Sequence, residues 1–258
     1  MKEDEYRVFL RTLIVFSSPH KKGDFFMSKI NSRQNSAVTI QKIVFSALFA
    51  ALAYVAMFLT SWIKVGFLTF DAKDAVMTIG AMFFGPIAGL TMALVTTILE
   101  LITVSDTGFY GWLMNFLGSL SFIMPVSLFY AWRKKLPFAM LGIAASIVCM
   151  TFVMMLANLY ITPLYLGVSR DTVVELIPTL LFPFNLTKAI LNAGIVLVLY
   201  KPVSQSLRRA GLSKTHEGQN FKFNRMTIVI VIVGAALVTA SLFYFFIEMN
   251  GQFQIIKK

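Results

Sequence analysis

Long apolar runs broken by short polar turns dominate the chain from about Ile43 onward. The first run, Ile43 to Trp62, opens with alanine-dense Val44-Phe-Ser-Ala-Leu-Phe-Ala-Ala-Leu-Ala53 and predicts a helix long enough to cross a bilayer. Charged residues follow in Lys64-Val-Gly-Phe-Leu-Thr-Phe-Asp-Ala-Lys-Asp74. A short apolar segment, Ala75 to Phe84, meets the turn signal Gly85-Pro86 and is succeeded by Ile87 to Ile102, which fits a helical hairpin. Further spans are expected over Trp112–Trp132 and Phe138–Leu166, with Pro163 kinking or ending the latter. The sixth span ends at Tyr200 and begins either near Pro178 or with Pro183 as its first residue. Ile228 to Ile247 carries no charge and forms a seventh. The expected organisation is a tail over 1–39, a six-helix membrane domain over 40–200, a basic linker over 201–226, a seventh transmembrane helix over 227–248 and a short tail over 249–258.

Composition agrees with an all-α polytopic membrane protein. Hydrophobic residues make up 57% of the 258 and charged residues 14%, against about 25% charged in soluble domains. The net charge of +11 would fit nucleic acid in a soluble chain. Here the basic residues gather in alternate loops, so orientation in a membrane explains them better and no nucleic acid is expected. Lys29, Arg33 and Lys42, then Arg133, Lys134 and Lys135, then the basic linker fall on one side. Lys64, Lys73, Arg170, Lys257 and Lys258 fall on the other. The bias predicts a cytoplasmic N-terminus and, with seven spans, an extracellular C-terminus. Residues 1–26 are polar and mixed in charge, and Met27-Ser-Lys-Ile reads as the natural start. The lone Cys149 sits in an apolar run and is expected to pack.

Candidate chemistry lies in Leu181-Phe-Pro-Phe-Asn-Leu-Thr-Lys-Ala-Ile-Leu-Asn192. Asn185, Lys188 and Asn192 are spaced i, i+3, i+7 and share one helical face. A charge at membrane depth costs about 2.5–3.5 kcal/mol even on the lenient insertion scale, so a lysine there marks a bundle interior or wet cavity. Three polar groups in register point to a pocket for a polar ligand. The bland alternative is a snorkelling lysine beside asparagines that join helices. An intramembrane enzyme would need a nucleophile or metal motif within the spans. The two histidines, His20 and His216, lie outside them, and there is no Walker A sequence. A secondary carrier is disfavoured by six core spans without an evident inverted repeat.

Several stretches together carry a family resemblance. Phe67-Leu-Thr-Phe-Asp-Ala-Lys-Asp74, Gly80-Ala-Met-Phe-Phe-Gly-Pro-Ile-Ala-Gly89, Tyr110-Gly-Trp-Leu-Met-Asn-Phe116, Ala157-Asn-Leu-Tyr-Ile-Thr-Pro-Leu-Tyr165 and Phe182-Pro-Phe-Asn-Leu-Thr-Lys188 follow one another in the order and spacing of a known pattern. From about Ile40 to Tyr200 the chain resembles riboflavin-type substrate-binding (S) components of energy-coupling factor (ECF) transporters. The resemblance implies a six-helix subunit whose flavin sits in an outward-facing cavity roofed by the first loop. Asn158, Asn185 and Lys188 match ligand-bonding positions. Asn115, Asp71 and Asn192 join them as polar candidates, and Phe70, Tyr160 and Phe184 as candidates to pack on the ring. The face of the first helix bearing Ala47 and Ala51 resembles the surface that docks on the transmembrane coupling (T) subunit. ATP would be hydrolysed only by two partner ATP-binding cassette subunits, the lipid bilayer is the remaining partner, and no cofactor or metal is expected. The seventh span and residues 1–26 lie outside the pattern. Every candidate ligand residue precedes Tyr200, so the last helix is expected to be an accessory. The alternatives are an S component for FMN or another heterocyclic vitamin or precursor, a stand-alone carrier or an intramembrane enzyme.

Overall fold

The computed structural model describes residues 19–61, 63–65, 68–105, 107–209 and 225–248. Two compact units divide the chain at Ile43 and Val44. The first is helical from Pro19 through Met27 and onward, and residues 1–18 lie outside the described set. The second holds the bundle. Its elements are α1 (Pro19–Thr60, shared with the first unit), the strands β1 (Lys64–Val65) and β2 (Leu68–Thr69), α2 (Lys73–Phe84), α3 (Pro86–Thr103), α4 (Gly108–Trp132), α5 (Leu136–Leu166), α6 (Arg170–Leu176), a π-helical turn (Ile177–Leu181), α7 (Phe182–Arg209) and α8 (Arg225–Glu248). Among the described residues six helical stretches are long and apolar enough to cross a membrane, from Ile40–Thr60 to Thr227–Tyr244. The one expected segment missing from these six, Ala75–Phe84, lies in α2, which has 12 residues. At 1.5 Å per residue it rises only about 18 Å.

Gly85 makes the α2–α3 hairpin possible. Its φ of 101° lies where side chains are strained, its N–H closes α2 on the Ala81 carbonyl, and Pro86 starts α3 without needing a donor. Small residues then let helices approach. A Cβ on Gly89 would lie 2.7 Å from that of Ala81. Thr96 of α3 donates to the Ala50 carbonyl of α1. The core between α1 and α7 is built from Phe49, Ala53, Met77, Ile79, Met92, Phe122 and Ala193, among others.

Three sequence expectations change. The first loop is not wholly irregular: Lys64 pairs with Thr69 and Val65 with Leu68 in a short antiparallel ladder. The sixth span starts at neither Pro178 nor Pro183. Helix continues through both, because the wide turn Ile177–Leu181 absorbs the missing proline donors and the Phe182 N–H bonds the Ile177 carbonyl. The same helix also runs past Tyr200 to Arg209, so the first part of the expected linker is helical; residues 210–224 lie outside the described set. Pro163 ends α5 gently. Helix persists to Leu166, and Gly167 (φ 64°) caps it through the Pro163 carbonyl.

The last helix is seated on α7. Gly194 and Gly234 face each other so closely that a Cβ on Gly194 would lie 2.8 Å from the Gly234 carbonyl oxygen, and a Cβ on Gly234 2.9 Å from that of Gly194. Val238 and Leu242 of α8 pack on a second apolar cluster containing Phe70, Val173, Leu180, Leu181, Phe184 and Leu191.

Candidate functional site

A cavity of about 600 Å³ opens among α1, β2, α3, α4, α5 and α7, within the ~300–1,000 Å³ range of small-molecule sites. Its wall is largely apolar, with Met57, Leu68, Met114, Met150, Met154, Ile161 and Phe184. Polar groups converge from several elements: Thr69, Glu100, Asn115, Ser119, Asn158, Thr162, Asn185 and Lys188.

Each amide is oriented by a neighbour. Asn185 donates to the Leu181 carbonyl (2.7 Å) in the π-helical turn, and Asn158 donates to Met154 and accepts from Thr162 (2.8 Å). Asn115 donates to Glu100 Oε1 at 2.9 Å. With one N–H of each so used, the Asn115 and Asn185 side chains are oriented and their carbonyl oxygens can accept from a ligand that donates.

Lys188 reaches under the first loop, to Asp71 Oδ2 at 2.7 Å and the Thr69 carbonyl at 3.4 Å. Asp71 also receives Lys73 at 3.3 Å, and Lys73 lies 2.6 Å from Glu100 Oε2. Lys73 is fully buried and Asp71 is 1% exposed. The chain Lys188–Asp71–Lys73–Glu100–Asn115 therefore ties α7, the first loop, α2, α3 and α4 together. Burial pushes the Asp71 carboxyl up, but the ammonium groups of Lys188 and Lys73 outweigh burial and hold it below its ordinary value. A depressed carboxyl stabilises the fold above its unfolded pKa and loses that contribution as pH falls through the acid range. Beside this chain, Ser119 donates to Asp74 at 2.5 Å.

The sequence candidates thus separate. Asn115, Asn158, Asn185 and Lys188 line the cavity, as does Phe184. Asp71 stands behind Lys188. Asn192 is a clamp on α2: its Oδ1 accepts from the Ala75 N–H (2.9 Å) and its Nδ2 donates to the Asp71 carbonyl (3.1 Å). Phe70 packs edge-on against Phe184, with ring centres 4.8 Å apart, and is not among the lining residues. Tyr160 is 57% exposed, and its ring lies under the Arg170 guanidinium rather than at the cavity. Glu100, Ser119 and Thr162 line the site and were not singled out from sequence. The signal for Glu100 was present, an acid in an apolar run like the Lys188 signal. Ala47 and Ala51 are exposed on α1, while Ala50 and Ala53 face the core.

Comparison with known proteins agrees with this architecture. Residues 41–200 match the family described as ECF transporter, substrate-specific component. The riboflavin transporter RibU of Staphylococcus aureus (strain TCH60) is 26% identical over 190 residues, covering 70% of this chain and 97% of the relative. The solved structure reported as "Structure and mechanism of the S component of a bacterial ECF transporter" matches with a TM-score of 0.56 at 24% identity, over 66% of this chain and 99% of that one. At that identity the structural likeness concerns the fold. The family match leaves α8 outside its bounds.

Proposed function

The chain belongs to the substrate-specific components of ECF transporters, and from that membership we propose that it captures riboflavin in the cavity between α4, α5 and α7 and delivers it through an ECF coupling module. It is a membrane protein and a transporter component, not an enzyme. The observation that carries the ligand assignment is the cavity itself: Asn115, Asn158, Asn185 and Lys188 converge on one mostly apolar space. An isoalloxazine ring offers an apolar body with an edge of carbonyls and one imide N–H, and a ribityl chain offers hydroxyls. Amide oxygens, a carboxylate and an ammonium complement those groups. The similarity to a riboflavin transporter supports the same ligand.

The cavity is bordered by Ser105, Thr107 and Gly167, from the turns at the end of the bundle opposite the basic α4–α5 turn, Arg133-Lys134-Lys135. With the basic turn in the cytoplasm, the N-terminus is cytoplasmic, the C-terminus is extracellular and the cavity faces outward under the first loop. Delivery then depends on a T subunit and two ATP-binding cassette subunits that hydrolyse ATP. Purification of the full chain in detergent followed by calorimetric titration with riboflavin tests the assignment. Tight one-to-one binding, with a flavin absorbance band on material purified from flavin-replete cells, is the expected result. A well-folded preparation that ignores riboflavin refutes it.

The exposed alanines of α1 extend the same reading. Ala51→Leu is expected to cut riboflavin uptake in cells more than tenfold while leaving titration of the purified chain unchanged. The added side chain would hold a partner helix away from a small-residue face. Normal uptake would remove this face from the docking surface.

A further inference from the structure

We infer that Glu100 sets ligand specificity, selecting an uncharged, hydroxyl-bearing flavin and excluding its phosphate monoester. The inference rests on the riboflavin reading of the cavity and says which flavin the site admits.

Among the described lining residues only Glu100 and Lys188 carry a formal charge, and neither cation of the surrounding cluster is spare. Lys188 lies 2.7 Å from Asp71, and Lys73 lies 2.6 Å from Glu100. Asp71 Oδ1 already has no hydrogen-bond partner among the described residues. Drawing Lys188 away to meet a phosphate would leave that buried carboxylate with only Lys73 at 3.3 Å. Asp74, bonded by Ser119, adds a further acid to the same neighbourhood. The cluster therefore holds three carboxyl groups, Asp71, Asp74 and Glu100, against two ammonium groups.

Into this wall a phosphate monoester brings a charge of about −1.5 to −2 at pH 7. Burying a like charge beside Glu100 is unfavourable, and among the described lining residues no unpaired cation compensates it. The N-cap and first turn of α4 border the cavity with Thr107, Tyr110 and Gly111, but the last turn of α3 abuts it across a four-residue connection, so the opposing helix ends offset one another. A neutral polyol meets the opposite situation. Glu100 uses one oxygen for Lys73 and the other for Asn115. An ionised carboxyl has about four lone-pair sites, so it retains capacity to accept from a hydroxyl or imide N–H. The neighbours that fix its position also keep it aimed: Asn115 from α4 and the fully buried Lys73 from α2.

The test measures the affinity ratio of riboflavin to FMN for the full chain in detergent by titration calorimetry, with riboflavin 5′-acetate as an uncharged ester of comparable reach. Wild-type protein should prefer riboflavin over FMN by at least thirtyfold and accept the acetate ester with less than a third of that discrimination on a logarithmic scale. Glu100→Gln should lower the riboflavin-to-FMN ratio at least tenfold. Rejection of the acetate as strongly as FMN would make the exclusion steric and overturn the inference without needing any variant. Equal binding of riboflavin and FMN by wild type overturns it too, as does an unchanged ratio in a Glu100→Gln protein that melts cooperatively. Absence of riboflavin binding to folded wild type overturns the functional reading itself, a result distinct from all of these.

Discussion

Lys188→Ala should lose riboflavin affinity by about a hundredfold and lower the melting temperature sharply at the same time. The sequence alone points to the first effect, a ligand-facing ammonium whose charged hydrogen bond contributes about 1.5–3 kcal/mol. The structure adds the second. Lys188 is one of two cations holding buried Asp71, and removing one partner of a buried ion pair costs about 3–5 kcal/mol because the other charge is stranded. A double variant separates the roles. Asp71→Asn/Lys188→Met removes both charges and should recover most of the stability, whereas affinity should remain low. Calorimetric titration and a thermal melt on all three proteins check this. Recovery of affinity along with stability in the double variant would show that Lys188 acts only as a counterion to Asp71.

The second large effect belongs to α8. Gly234→Leu is expected to destabilise the full chain by about 1–3 kcal/mol, the usual cost of overpacking, and to weaken riboflavin binding about tenfold. The leucine would start 2.9 Å from the Gly194 carbonyl oxygen, so α7 and α8 must part. Parting them withdraws Val238 and Leu242 from the cluster that includes Phe70 and Phe184. Phe184 lines the cavity one residue before Asn185, and Phe70 precedes Asp71, so the loss reaches the ligand through α7 and the first loop. Ala236→Leu, on the exposed side of the same helix, is the control and should leave the melt and the titration unchanged. Indistinguishable behaviour of the two variants would return α8 to the accessory role expected from its position outside the six-helix pattern.

Periodicity carried much of the bundle and part of the site. Long apolar runs located the six long helices because lipid leaves few other ways to satisfy a backbone. The Asn185–Lys188–Asn192 register correctly placed three polar groups on one face. It could not show that the cavity ends before Asn192, whose amide instead clamps α2 to the first loop. That boundary is set by packing from residues more than a hundred positions away. Tyr160 illustrates a signal left unused: two residues beyond Asn158 is about 200° around a helix, so both side chains cannot face the same cavity. The charged network was harder to read. Lys73 and Glu100 are 27 positions apart and Asp71 and Lys188 117 apart, separations that no helical or strand period connects. Proline misled at the sixth span because a widened helical turn, not a helix start, accommodates Pro178 and Pro183.

The short α2 has a consequence for how the chain enters a membrane during synthesis. Twelve residues cannot reach across the ~30 Å hydrocarbon layer, and Lys73 at the head of α2 would be costly to present to lipid alone. Its nearest acid, Glu100, is made 27 residues later near the far end of α3. The Gly85 turn brings the two together only once both helices exist. On this geometry α2 and α3 are expected to enter the bilayer as a pair, and a ribosome stalled before Glu100 has emerged should leave Lys73 accessible to aqueous reagents.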